Sequence, residues 1–456
     1  MKDRLSGLIS LLHRHGTASA AEIGAALGVS QPTVSRLLAA AGGSVVRFGK
    51  ARATRYALSR TVARAGSQWP LYRITALGRA ELLGHLHALH GGYLFASTAA
   101  RPAFLHGQFR SGLFPGLPWF LDDQRPQGFL GRAFARRVAE SIGASSDLTV
   151  WQADDIVLAL LLHGEDAPGD LILGEPSLQR ALRQIVQTGG LIPSVERERA
   201  YPLHAELALR GEDIGSSAGG EQPKFTAILD DAGCHRAVIV KFSERAGTAA
   251  AQRWADLLYC EHLANLTLND HGLPAAHNQI VVADGRVFLQ STRFDRTAER
   301  GRRGFISLAA LDAACYGHGR IDWWQFAPTL ARDGWLTSED ARRLALYGWF
   351  GALIANSDMH LGNAGLILTD ARPLALAPAY DMLPMAFRPA TNGEVIERRY
   401  ALPLPTPELR DLWHEAVVVA LNFWERVAQC AMISDGFCLI ATDALDQLHR
   451  ARTRIG

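Results

Sequence analysis

The stretch that most constrains this chain of 456 residues covers positions 356–384. It reads N-S-D-M-H-L-G-N-A-G-L-I-L, then a short polar loop, then L-A-P-A-Y-D-M-L-P. Two carboxylates, Asp358 and Asp381, bracket one amide, Asn363. An apolar run at 365–368 and turn residues at 369–373 lie between them. The pattern predicts a polar loop, a strand, a tight turn, a second strand and then an acidic residue. Phosphoryl transfer asks for those parts. It needs a carboxylate to orient and deprotonate a hydroxyl, and an amide oxygen with a second carboxylate to hold Mg²⁺. The bland alternative is a turn whose polar residues cap a helix, because short motifs recur by chance. The rest of the chain decides between them.

The length allows two to four domains. A composition of 48% hydrophobic and 20% charged residues fits a globular chain with a large core. No apolar run approaches the ~18–20 residues of a membrane span. The N-terminus also lacks the long apolar region and small-residue cleavage site of a signal peptide, so no membrane partner is expected. Five scattered cysteines without a C-x-x-C pair point to a reduced, cytoplasmic protein without structural zinc. The net charge of +2 hides an asymmetry: residues 1–64 hold ten Lys or Arg against Asp3 and Glu22. That segment therefore carries +8 and the remainder −6, which marks a nucleic-acid-binding end joined to something else.

In that basic end, Leu5, Leu8, Ile9 and Leu12 recur at helical spacing up to Gly16. Ser19 is placed to cap a second helix that stops at Gly28. Ser30 is placed to cap a third, Q-P-T-V-S-R-L-L-A-A-A, with Pro32 in its first turn. Two helices joined by a short Gly-containing turn form a helix-turn-helix. Gln31, Thr33, Ser35 and Arg36 are the polar positions available to base edges. The alternating segments of V-V-R-F-G-K-A-R-A-T-R-Y-A-L predict a wing, in which Arg47, Lys50, Arg52 and Arg55 would meet phosphates. The segment resembles the winged helix-turn-helix of bacterial transcriptional regulators. Residues 65–210 show turns, two helical stretches and core-type aromatics, but no legible chemistry.

From Gly215 the chain is informative again. G-S-S-A-G-G-E-Q-P-K is a loop in which Gly219 and Gly220 permit close approach to phosphates and Lys224 adds a charge. The strand R-A-V-I-V-K-F ends near Lys241, and the next helix carries Glu261. A hairpin turning at Asp284-Gly285 leads to Thr292, and beyond Ser307 the pattern is mainly helical. Glycine loop, strand lysine and helix glutamate follow the order of a kinase N-lobe. Asp358 and Asn363 keep the five-residue offset of a kinase catalytic loop, and Asp381 takes the later metal position.

With those residues in view, the chain resembles the HipA family of bacterial serine/threonine kinase toxins of type II toxin–antitoxin systems. More narrowly it resembles the YjjJ-type branch, in which a helix-turn-helix precedes the kinase. S-x-G-G-E-Q-P-K, V-K-F, R-F-D-R, N-S-D-M-H-L-G-N and A-Y-D carry the match. The resemblance implies Asp358 as base, Asn363 and Asp381 on Mg²⁺, and Lys241 on ATP phosphates. Gly219, Gly220, Gln222 and Lys224 belong to its phosphate loop, and Glu261 partners Lys241. It also implies His360 and Tyr380 in the nucleotide site, and adenine held by the backbone of Thr292, Arg293 and Phe294. The family's autophosphorylated serine falls at Ser217, with Ser216 adjacent. Gly362 stands where the family has lysine, and Thr292 where it has an acidic hinge residue.

The expected fold is therefore a multidomain α+β chain. A winged helix-turn-helix (1–64) precedes a mixed α/β N-lobe (65–294) and an all-helical C-lobe (295–456). The expected function is an ATP- and Mg²⁺-dependent protein serine/threonine kinase silenced by autophosphorylation. Its expected partners are duplex DNA, a protein substrate of the translation machinery and a second copy of the chain. Two other readings fit the same residues: a transcriptional regulator with a ligand-sensing kinase-like domain, and a small-molecule kinase.

Overall fold

The computed structural model describes residues 2–98, 102–186, 190–211 and 222–455. The chain opens with α1 (Lys2–His15), β1 (Thr17–Ala18), α2 (Ala20–Leu27), α3 (Gln31–Ala41), β2 (Val45–Phe48) and β3 (Arg55–Leu58). The Ser19 hydroxyl accepts the Glu22 N–H (3.2 Å) and the Glu22 carboxylate accepts the Ser19 N–H (2.7 Å). This reciprocal cap starts α2, which Gly28 ends at φ +62°. Ser30 occupies the cap position of α3, but its hydroxyl turns to the Thr33 hydroxyl (3.2 Å), so the expected side-chain cap is not made. Leu8, Leu12, Ile23, Val34 and Leu37 are the core of this head, and its strands pair in the order β1-β3-β2. Gly49, at φ +78°, turns the wing where any Cβ would collide with the Ala53 carbonyl.

Next come β4 (Gln68–Ile74), β5 (Ala80–Leu89), β6 (Gly92–Ser97), β7 (Leu113–Phe114), α4 (Gly128–Ile142), α5 (Ala153–His163), β8 (Leu171–Leu173) and α6 (Glu175–Val186). Their sheet runs β7-β6-β5-β4-β8. The head is fused to it: Phe48 and Ala57 share one apolar cluster with Leu89 and Leu94. Backbone bonds from His90 N–H to Leu58 O and from Arg60 N–H to Ala88 O (both 3.0 Å) continue the seam. The Arg60 guanidinium then grips both oxygens of Asp154 (2.5 and 2.7 Å).

A second five-stranded sheet, ordered β12-β13-β11-β10-β9, follows. It is built from β9 (Leu191–Pro193), α7 (Arg197–Arg210), β10 (Lys224–Asp231), β11 (Cys234–Phe242), α8 (Ala249–Asp270), β12 (Asn278–Ala283) and β13 (Arg286–Thr292). Both hairpins turn on consecutive left-handed residues, Ala232-Gly233 and Asp284-Gly285, as two-residue β-hairpins of this hand require. Phe225, Val238, Val240, Phe242 and Phe288 fill its core, together with Leu130 and Ala133 of α4. Residues 65–294 thus hold two sheets where a single lobe was expected.

The remainder is β14 (Ile306–Ser307), α9 (Leu308–Cys315), α10 (Trp323–Arg332), α11 (Ser338–Leu353), β15 (Gly365–Ile367), β16 (Ala375–Leu376), α12 (Arg410–Gln429) and α13 (Asp435–Ile455). This C-lobe is not wholly helical, because β14, β15 and β16 form a small antiparallel sheet. It shares one continuous core with the middle sheet unit, where the rings of Trp119 and Trp335 meet edge to face at 6.0 Å. The two-lobed α+β architecture is as expected. Among the described residues no helix is long and apolar enough to cross a membrane.

Candidate active site

Lys241 lies near the end of β11, directly across from Lys224 on β10. The Thr248 hydroxyl caps α8 by accepting the Ala251 N–H (3.0 Å), and the helix carries Glu261 to the buried side of the sheet. The Lys241 ammonium donates to both Glu261 oxygens (2.6 and 2.7 Å) and to Asp381 Oδ1 (2.5 Å). Burial pushes the Lys241 ammonium down, but Asp381 and Glu261 outweigh it and the net shift is upward, so this lysine is charged. Burial raises the Asp381 carboxyl, yet Lys241 and Lys224 overcome that and hold it below its usual range. For Glu261, the deepest of the three, burial wins over Lys241 and the shift is upward. Two lysines and two carboxylates thus neutralise one another where β10 and β11 meet α8 and the segment after β16.

The loop facing them is fixed by Asn356. This buried residue donates to the Asp381 carbonyl (3.2 Å) and accepts the Asp358 N–H (3.0 Å). The Asn363 amide donates to the Asp358 carbonyl (2.8 Å), a bond that requires its NH₂ and leaves its oxygen free to face elsewhere. Among the described residues the half-exposed Asp358 carboxylate has neither a hydrogen-bond nor an ion-pair partner. Asp381 sits at φ +55°, a left-handed conformation that Asp tolerates better than most residues.

Beside this loop, the Tyr380 hydroxyl donates to the Gly362 carbonyl (2.8 Å). Its ring lies 5.7 Å from Phe294, which in turn lies 5.6 Å from Phe305. Burial first, then Asp381 and Asp123, push the Tyr380 phenol well above its usual range, so it stays a donor. His360 is exposed and its Nδ1 accepts the Gly362 N–H (3.0 Å). A Cβ on residue 362 would come within 2.9 Å of that ring, which explains glycine here.

The adenine contacts expected of Thr292, Arg293 and Phe294 are narrowed. The N–H groups of Thr292 and Arg293 are already spent on the carbonyls of His277 (2.8 Å) and Ala237 (2.9 Å), so neither is a free donor to adenine. The Arg293 side chain turns away into a buried ion cluster, bonded to Asp166 (2.8 Å) and Asp295 (2.9 Å). Arg296 joins the same two carboxylates at 3.1 and 2.5 Å. R-F-D-R is therefore chiefly a joint to the middle unit, and Phe294 alone of the three expected hinge residues faces Tyr380. Ser216, Ser217, Gly219 and Gly220 lie outside the described residues. At the edge of that loop, Gln222 has a buried amide nitrogen without a hydrogen-bond partner among the described residues.

On the head, Gln31, Ser35 and Arg36 are exposed on α3, and Arg47, Lys50 and Arg52 are exposed on the wing. Thr33 is half-buried, its hydroxyl accepting from Arg36 (3.3 Å). Arg47 and Phe48 are neighbours on a strand and so face opposite ways, with Phe48 toward the middle unit. Arg55 does not match the expected free phosphate contact. It donates to the Thr17 hydroxyl (3.0 Å) and the Glu22 carboxylate (3.2 Å), and so braces the wing against α2.

The strand lysine between two carboxylates, the asparagine-stapled loop and the two-lobed fold define a HipA-type kinase-like class. The chain belongs to the YjjJ-like toxins of that class. It is 35% identical over 454 residues, 99% of each chain, to the toxin YjjJ of Escherichia coli (strain K12). The profile of the YjjJ-like toxin middle domain matches residues 65–182, and that of the HipA-like C-terminal domain matches 216–433. Among solved structures, it is similar to a chain of the Shewanella oneidensis MR-1 toxin–antitoxin complex of HipA, HipB and operator DNA. That likeness has a TM-score of 0.41 and 15% identity over 73% of this chain and 84% of that one. It is also similar to the Helicobacter pylori proinflammatory kinase CtkA, with a TM-score of 0.37 and 12% identity over 52% and 92%.

Proposed function

We propose that this chain is an ATP- and Mg²⁺-dependent serine/threonine protein kinase of the toxin type, carried on a DNA-binding head. One observation carries the reading: Lys241 is clamped between Glu261 and Asp381, while the nearby Asp358 carboxylate has no partner among the described residues. The residues fit the nucleotide and metal. Asn363 offers an amide oxygen and Asp381 its second carboxylate oxygen, a two-residue set of the kind Mg²⁺ accepts when phosphates complete its shell. Bound there, the metal would neutralise charge on the transferring phosphoryl group. Lys241 and Lys224 bring positive charge to the phosphates, and the buried Gln222 amide is a spare donor at the same edge. Phe294 and Tyr380 offer apolar faces to the base. Asp358 accepts the proton of the attacking hydroxyl as its oxygen bonds to phosphorus and the bridging oxygen departs with ADP.

The exposed face of α3 and the wing suit a duplex, bound by two copies, with Arg36, Lys50 and Arg52 the strongest contacts. Phosphate added to Ser217, or to Ser216, would place like charge beside the nucleotide and shut the enzyme off. The test is incubation of the purified protein with labelled ATP and Mg²⁺, with label located by mass spectrometry. Label is expected on the phosphate-loop serines and on a translation protein supplied from extract. Asp358→Ala and Asp381→Ala should each reduce labelling by roughly 100-fold or more. Near-unaltered labelling in both variants would end the kinase reading.

A further inference from the structure

The small sheet β14-β15-β16 carries the chemistry at its ends: Asn363 precedes β15 and Asp381 follows β16. Its strands have two or three residues each, too few to hold their own geometry. The middle unit grips it at three points. On β14, the Asp123 carboxylate accepts the Ser307 N–H at 2.6 Å. Ser307 in turn pairs with Gly365 on β15, and the adjacent Leu308 N–H reaches the Ala364 carbonyl (2.8 Å), one residue from Asn363. On the β15–β16 turn, Arg73 of β4 donates to Asp370 (2.8 Å) while its Nε pairs with Asp170 (3.0 Å). On the same turn, Arg372 donates to the His106 ring (2.9 Å) and lies over Trp335 at 4.3 Å. Both tips of the sheet are thus tied to residues outside the kinase lobes.

We infer that the middle unit is a working part of the catalytic centre. Asp123 acts as the positioning residue that sets the spacing of Asn363 and Asp381, with Arg73 and His106 steadying the turn. Asp123 makes no hydrogen bond to the described residues assigned to nucleotide or metal; it acts through Ser307 and Gly365. The inference rests on the kinase reading above. It gives the 65–182 segment a role in metal binding that its sequence does not display.

The test uses the full chain with Asp123→Leu, Asp123→Asn and Asp370→Ala. Asp370 is 63% exposed on the turn and Arg73 keeps Asp170 as its partner, so its loss should leave the fold intact. Two readouts are taken: amide hydrogen exchange at Leu308 and at Ala377, whose N–H donates to the Gly365 carbonyl (2.9 Å), and the Mg²⁺ concentration needed for half-saturated binding of a non-hydrolysable ATP analogue. Asp123→Leu should speed exchange at both amides and raise the Mg²⁺ requirement roughly tenfold, the size typical of a lost ligand-orienting partner. Metal-free nucleotide affinity should stay within about twofold, because Lys241 and Lys224 are on the other lobe. Asp123→Asn keeps an acceptor for Ser307 and should remain near the unaltered protein. Asp370→Ala should raise the Mg²⁺ requirement about threefold, less than loss of the β14 tie. Unchanged exchange, an Asn variant as impaired as Leu, or an equal loss of metal-free affinity would each overturn the inference. A protein that neither binds the analogue nor transfers phosphate removes the kinase reading, and this one with it. A competent protein unmoved by Asp123→Leu removes this one alone.

Discussion

The backbone of Asp381 lies at φ +55°, where an ordinary side chain costs roughly 1–2 kcal/mol and Asp or Asn less. The Asn356 bond to its carbonyl and the Lys241 bond to its side chain over-determine that conformation. The two demands can be separated. Asp381→Asn keeps the backbone tolerance but removes one of the two counter-charges of the buried Lys241, so it should lose phosphoryl transfer about 100-fold and unfold earlier than the unaltered protein. Asp381→Ala should lose activity similarly and a further ~1 kcal/mol of stability in calorimetry. Asp123 gives a second, independent signal. Burial, opposed by its bond to Ser307 and aided by Asp122, pushes its carboxyl from 3.8 up to about 6. A carboxyl raised on folding contributes stability that is complete below its unfolded value and is lost as pH rises through its folded value. The melting temperature should therefore decline by a few degrees between about pH 4 and pH 7, and Asp123→Asn should flatten that decline.

The elements of the head could be read locally because their boundaries carry their own chemistry: Gly16, Ser19, Gly28 and Pro32. The hairpin at Asp284-Gly285 was legible for the same reason. The sheet β14-β15-β16 was only half legible. Strands of two or three residues are too short for an alternating pattern to register, and β14 is paired by a segment about 60 residues away. The partners of Arg293 and Arg296 were not legible at all. Asp166 is 127 and 130 residues upstream, and an ion pair over that distance leaves no periodic trace. Asn356 was visible only as the first letter of a motif, although its two side-chain bonds fix the loop. Arg55 shows the limit of reading charge alone. Arg52→Ala should weaken duplex binding and lower the slope of log K against log salt by ~0.9, which titration at several salt concentrations would measure. Arg55→Ala should instead cost the wing about 1 kcal/mol, seen as earlier unfolding of the head, because it breaks partly exposed bonds to Thr17 and Glu22.

The middle unit is the centre of the molecule. It shares one apolar cluster with the head, a continuous core with the C-lobe, an ion cluster with R-F-D-R, and α4 with the second sheet. Truncating Leu94, which is 1% exposed in the seam, should cost about 2–4 kcal/mol. It should also lower the unfolding temperature of head and middle unit together, in a single calorimetric transition. Fragment 1–64 alone would expose Phe48 and Ala57, so it should self-associate, which sedimentation of the fragment would measure. The seam also settles what the head does with its reach. Module connections rich in glycine and serine let a tethered enzyme sample a broad volume around its anchorage. Here the chain passes from β3 to β4 through ladder-like backbone bonds and the Arg60–Asp154 fork, with no slack to pay out. A copy seated on a duplex would hold its cleft at one bearing to the groove, like a lamp on a fixed bracket. Phase along the helical repeat, rather than length of leash, would decide which hydroxyls come within range.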